Sequence, residues 1–169
     1  PTIVSMLITA VYNMADTFYV SRISTSASGA VGVSFSIMAI IQAFGFTFGT
    51  GSGNYISRLL GKEDRSSASK VAATGFFTAL GLGALLAALG LIFLDPLVYA
   101  LGATATIAPY AKSYLGYILI GMPYMISLFV LNNILRFQGS AFWAMLGVVS
   151  GCLLNIVLDP IFIFKLKMG

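Results

Sequence analysis

Charged residues along this chain fall into a few short clusters, and the stretches between them are apolar enough to enter a bilayer. Uncharged runs cover Ile23–Ser57 (35 residues), Val71–Leu94 (24), Ser113–Leu135 (23) and Phe137–Leu158 (22), and Thr2–Ala15 carries no charge either. A helix needs about 20 apolar residues to cross a hydrocarbon core of about 30 Å. The alternating pattern of membrane β-strands is missing, and backbone groups in lipid must be paired internally, so these runs are read as helices. The pattern predicts an all-α integral membrane protein, a polytopic bundle with five transmembrane helices at roughly 2–20, 33–57, 71–94, 114–135 and 142–164.

The polar clusters predict the connections. Ser21–Gly29 is small and flexible, and Arg58–Lys70 (RLLGKEDRSSASK) holds the only dense charge. Asp95–Lys112 is long and mildly polar; its Asp95-Pro96 pair is expected to stop a helix, and the remainder of the segment suits an interfacial helix or lid. Arg136–Ala141 makes a short helical hairpin.

Composition changes the picture in one respect: it rules out a soluble globule. Only 8% of the 169 residues are charged and 59% are hydrophobic, with a mean hydropathy of +0.97. A soluble domain carries about 25% charged residues because its surface must face water. The net charge of +4 forms no nucleic-acid patch, since four of the nine basic residues crowd one loop and the rest are scattered. They serve better as an orientation signal. Loops two and four hold Arg58, Lys62, Arg65, Lys70 and Arg136, against Arg22, Lys112, Lys165 and Lys167 on the other face. The dense loop decides the assignment, placing 58–70 in the cytoplasm of a multi-pass protein of the cell (inner) membrane. Cys152 excludes an intrachain disulfide, and the lack of histidine excludes His-based metal or acid–base chemistry. Pro1, with no basic region before the first apolar run, does not match a signal peptide, and the expectation is a chain entered partway through its first helix.

Candidate chemistry lies where charge interrupts the apolar runs. Asp16 ends the first run, and Asp159 follows the last, with Asn155 one helical turn before it. A carboxylate in hydrocarbon costs roughly 2.5–3.5 kcal/mol on insertion scales, so one that persists there faces a cavity or a partner. Oxygen groups from two helices suit a hard cation such as Na⁺. Paired carboxylates in a low dielectric also repel, which raises the proton affinity of one. The competing reading makes both aspartates caps at helix ends, a role that Asp159-Pro160 invites. Tyr114 and Asn132, near opposite ends of the fourth helix, are candidates to hydrogen-bond a carboxylate, although Tyr110, Tyr114 and Tyr117 also suit interface anchors. Gln42 either lines a pathway or bonds a neighbouring helix. The glycine-rich stretch Gly45–Gly53 has no Lys-Ser/Thr after it and no strand before it, so Gly45, Gly49 and Gly53 read as a helix-packing face.

These residues carry a resemblance. YNMADTFYVSR in the first helix, GTGSGNYISRLLGKEDRSSA after the second, and LNNILRFQGS and LNIVLDPIFIF across the fourth and fifth resemble the amino-terminal lobe of multidrug and toxic compound extrusion (MATE) transporters. That family implies two pseudo-symmetric bundles of six helices facing a substrate cleft, so the chain would supply five helices of a six-helix lobe, without the second lobe. The resemblance implies a cation or proton site at Asp16, Asn155 and Asp159, supported by Tyr114 and Asn132. A sixth-helix Thr of the family site has no counterpart here. Pro1 matches a proline at which some members bend the first helix.

The function implied is a secondary antiporter, not an enzyme, exporting organic and often cationic compounds in exchange for Na⁺ or H⁺. No cofactor is called for beyond that coupling ion. The expected partners are a small organic substrate, membrane lipid and the second lobe, with no nucleic acid. Two rivals are weaker. An intramembrane aspartyl protease needs Gly-x-Gly-Asp, whereas Ile-Val-Leu precedes Asp159; a lipid or oligosaccharide flippase lines its cavity with basic residues, which these helices almost lack.

Overall fold

A computed structural model describes residues 2–21 and 25–161, with the side chains at positions 16, 20, 21, 27, 159 and 160 outside the described set. Helices α1 (Thr2–Ser21), α2 (Thr25–Gly61), α3 (Arg65–Ile92), α4 (Leu94–Ala100), α5 (Ala108–Phe137) and α6 (Ala141–Pro160) follow in order, and no strand occurs among the described residues. Four of these helices contain stretches long and apolar enough to span a membrane: Ser28–Gly61, Arg65–Ile92, Ala108–Phe137 and Ala141–Leu158. The first helix is long enough at about 30 Å. Tyr12, Asn13, Asp16 and Thr17 place polar groups along it, yet on average it is as apolar as α2, α3 and α5.

The tightest packing joins α2, α3 and α5. Phe129, Asn133 and Phe137 of α5 fill the spaces beside Gly45, Gly49 and Gly53, which therefore form a packing face, and α2 and α5 run parallel in a constant register. On α3 the buried residues are Ala68, Gly75, Ala79, Gly83 and Ala87, a stripe with no side chain larger than a methyl group. That stripe lets the backbones approach until a Cβ at Gly83 would stand 2.6 Å from the Cα of Pro123. Ile41, Ile56, Leu115, Leu119, Ile126 and Val130 fill what remains.

Two expected loops prove helical in part. α2 begins at Thr25, not near 33, because Ala30 and Val31 are buried and Gly29 lies against Ile107; the small residues that suggested a flexible loop allow a close helix contact. Asp95-Pro96 does follow the end of α3, but the proline lies in the first turn of α4, where its missing N–H would have had no helical acceptor. Val98 of α4 is fully buried, and Asp95 reaches Lys112 of α5 at 2.6 Å, so this segment is clasped to the bundle. Between α2 and α3, Glu63 adopts a left-handed conformation (φ 61°), and Asp64 caps α3 by accepting a hydrogen bond from the Ser67 N–H at 3.0 Å.

Candidate functional site

The helices that carry the two intramembrane aspartates lie against each other. α1 packs along α6 and makes fewer contacts with α2. At their junction the Asn155 amide donates to the Tyr12 hydroxyl across 3.2 Å. Tyr12 stands one turn before position 16, and Asn155 stands one turn before position 159. Three residues separate α5 from α6, and the Asn132–Ala144 contact across them sets these two helices antiparallel. Each aspartate position follows its own side of the Tyr12–Asn155 contact by the same rise, about 6 Å. The side chains of Asp16 and Asp159 themselves lie outside the described residues, as does the orientation of either carboxylate.

The rest of α1 is polar on this side too. Ser5 is buried, and the half-buried Thr9 and the exposed Thr17 return their hydroxyls to the carbonyls of Ser5 and Asn13 at 2.8 Å, a local pairing of these polar groups within the helix. α6 runs through Asp159-Pro160, so neither aspartate sits in a loop, although Asp159 falls in the last turn.

The supporting residues divide by position. The Asn132 amide donates to the Ala144 carbonyl at 3.0 Å, strapping α5 to the first turn of α6. That strap lies about 16 Å along α6 from Asn155, so this contact does not join the Tyr12–Asn155 pair. In the antiparallel register it sets, Tyr114 falls slightly past the level of position 159, and its ring packs half-buried against the core. Gln42 is exposed on α2, with no hydrogen bond to any described residue. Asn133, beside Asn132, is buried and donates to the Phe129 carbonyl at 2.9 Å, where it packs on Gly49.

Tyr12 was missed in the sequence. Its signal was available: Tyr12 precedes Asp16 by the same four residues that separate Asn155 from Asp159. A tyrosine near polar neighbours reads as an interface anchor until its partner on another helix is known.

Comparison with known proteins gives concordant matches. The MatE family model matches residues 1–161. Multidrug export protein MepA of Staphylococcus haemolyticus is 32% identical over 169 residues, covering 99% of this chain and 37% of that protein. MepA of Staphylococcus aureus (strain MRSA252) is 30% identical over 170 residues, covering 100% and 38%. Among solved structures, a MATE protein in complex with MaD3S superposes with a TM-score of 0.91 at 35% identity, covering 98% of this chain and 37% of that one. A MOP superfamily transporter from Pyrococcus furiosus, described as having a binding pocket of reverse polarity that suggests a different function, gives 0.93 at 35% identity, covering 100% and 37%. The chain thus spans a little over a third of the length of the relatives it matches.

Proposed function

Because the chain belongs to the MATE family, whose members are transporters and not enzymes, we propose that it works within a secondary antiporter that exports organic, often cationic, compounds in exchange for Na⁺ or H⁺. The observation that carries the reading is the Asn155–Tyr12 hydrogen bond, which ties together the two helices bearing Asp16 and Asp159 one turn before each acid. Asp16, Asn155 and Asp159 bind the coupling ion in this reading, and Tyr12 orients the Asn155 amide. Tyr114 is the nearer of the two fourth-span candidates, while Asn132 acts as a hairpin strap. Bound Na⁺ or a proton neutralises charge between α1 and α6 and so favours one arrangement of the pair, and differential affinity of that kind is what a ligand needs to shift a conformational equilibrium.

The export relatives support a small-molecule substrate, and the exposed apolar faces of α1 and α6 suit packing against further helices, in this reading those of a second lobe, and against lipid. The basic loop 58–70 is assigned to the cytoplasm of a multi-pass protein in the cell membrane.

The test uses the full-length transporter in vesicles with separate Na⁺ and pH gradients. Asp16→Asn keeps the size of the group and removes its charge; it should reach the membrane normally and lose most gradient-driven efflux. Export at the wild-type rate under both gradients would place the coupling ion elsewhere.

A further inference from the structure

One membrane face of this bundle carries an excess of cations among the described residues. The parallel packing of α2 on α5 brings the carboxy-terminal ends of both helices to the same face as the start of α3. Arg58, Lys62, Arg65, Lys70 and Arg136 therefore share it. None of the five pairs with an acidic side chain among the described residues. Glu63 and Asp64, in the turn between α2 and α3, offset two of these five charges and leave the face net positive. At the opposite end Lys112 is paired with Asp95, so the unpaired charge among the described residues is confined to one side.

Beneath this face an open groove of about 330 Å³ runs between α2 and α3. Lys70 stands at its rim, Thr74 and Thr78 continue one face of α3 below it, and Phe48, Ser52, Val71 and Gly75 complete the lining. From Lys70 to Thr78 the helix descends about 12 Å, which takes the groove from headgroup depth into the acyl region. The Thr74 hydroxyl is returned to the Lys70 carbonyl at 2.8 Å, which keeps this polar group from making the wall hostile to a chain. A cationic rim over a largely apolar slot matches one kind of occupant, an amphiphile with an anionic head.

We propose that the α2–α3 groove holds an anionic phospholipid, its phosphate at Lys70 and within reach of the Arg58–Arg65 cluster, one acyl chain lying along Val71, Thr74 and Phe48. This goes beyond ion coupling, since the groove lies on α2 and α3 and uses no part of α1 or α6. A lipid held there would brace the two helices at the face where a strained turn joins them.

Native mass spectrometry of the full-length transporter in detergent, titrated with phosphatidylglycerol or with phosphatidylcholine of identical chains, tests the proposal. The wild type should retain phosphatidylglycerol preferentially. Lys70→Gln should weaken that retention about fivefold, the fold-change equivalent to about 1 kcal/mol for one surface cation, while Lys70→Arg preserves it. Thr74→Phe fills the groove without altering charge and should weaken retention of either lipid. Lys112→Gln, at the other face, should change neither. Equal retention of the two lipids by the wild type would overturn the proposal, as would indifference to Lys70→Gln or to Thr74→Phe. Displacement of phosphatidylglycerol by millimolar inorganic phosphate would overturn it too, because a free anion would then suffice and the groove would have no part.

Discussion

The α2–α3–α5 trio is joined by glycine and alanine faces so close that side chains or backbone of a neighbouring helix occupy the space beside Gly45, Gly49, Gly53 and Gly83. The α1–α6 pair meets through a hydrogen bond between polar side chains, and among the described residues no neighbouring helix fills the space beside Gly147 or Gly151 of α6. Burial follows the same division: 6% of the α6 span is buried, against 39% of the α5 span. In lipid no hydrophobic force drives helices together, so close packing and polar contacts are the alternatives. Close packing gives a contact that is either kept or lost, and it suits a scaffold. A polar contact on a helix that is little buried can be rearranged at lower cost than close packing, as the proposed ion-sensing pair requires.

The comparison breaks most readily at the glycines. Gly83→Leu drives a side chain into the backbone of Pro123, which cannot move without dragging α5, so the destabilisation should exceed the 1–3 kcal/mol typical of overpacking. Gly147→Leu meets no described atom within 4 Å and should be far milder, its main effect being the gain of about 1 kcal/mol in helix propensity on replacing a glycine. Thermal unfolding of the detergent-solubilised full-length protein, followed by size-exclusion chromatography, separates the two. Similar losses from both substitutions would remove the distinction between scaffold and pair.

Tyr12→Phe sharpens the comparison with a smaller change. It deletes the hydroxyl that accepts from Asn155 and leaves the ring, a loss of about 1 kcal/mol for a neutral hydrogen bond. If Tyr12 positions the ion site, the Na⁺ or proton concentration for half-maximal efflux should rise about fivefold while melting temperature barely moves. A purely structural hydrogen bond would give the reverse result.

The smallest effect belongs to the scaffold's own turn. Hydrogen bonds from Ser67 hold the Asp64 carboxyl below its ordinary value of 3.8. Its contribution is therefore present above the unfolded value and is lost as pH falls through the lower folded value. Melting temperature should decline slightly over that acidic range in the wild type. Asp64→Asn caps the helix without titrating and should remove this component, which a pH series of melting curves would detect.

How far the sequence could reveal this division depends on the residue. The long helices were legible because uncharged runs of more than 20 residues leave few alternatives in lipid. The glycine face of α2 was legible as packing because three glycines recur every four residues, but nothing in the sequence named α5 as the helix it meets. The start of α2 was not legible: Ser, Thr, Ala and Gly at 25–29 have loop composition, and only the contact with Ile107 makes them helical packing residues. Asn132 and Asn133 look equivalent on paper, yet one straps α6 and the other fills the space beside Gly49. At the candidate site, the spacing of Asn155 and Asp159 was readable, whereas Tyr12 needed the partner helix to acquire a meaning.

The account rests on Asp16 and Asp159 forming one site between α1 and α6, and cross-linking tests this most directly. In a full-length cysteine-free background, Tyr12→Cys/Asn155→Cys and Asp16→Cys/Asp159→Cys are treated with a short bifunctional thiol reagent and compared. The first pair should link, because the contact between those residues joins the helices. The second pair should link at a similar rate, and Na⁺ should leave this rate unaltered once both acids are gone. Efficient linking of the first pair with none at the second would mean that the helices diverge beyond Tyr12 and Asn155, and the two aspartates would not share an ion.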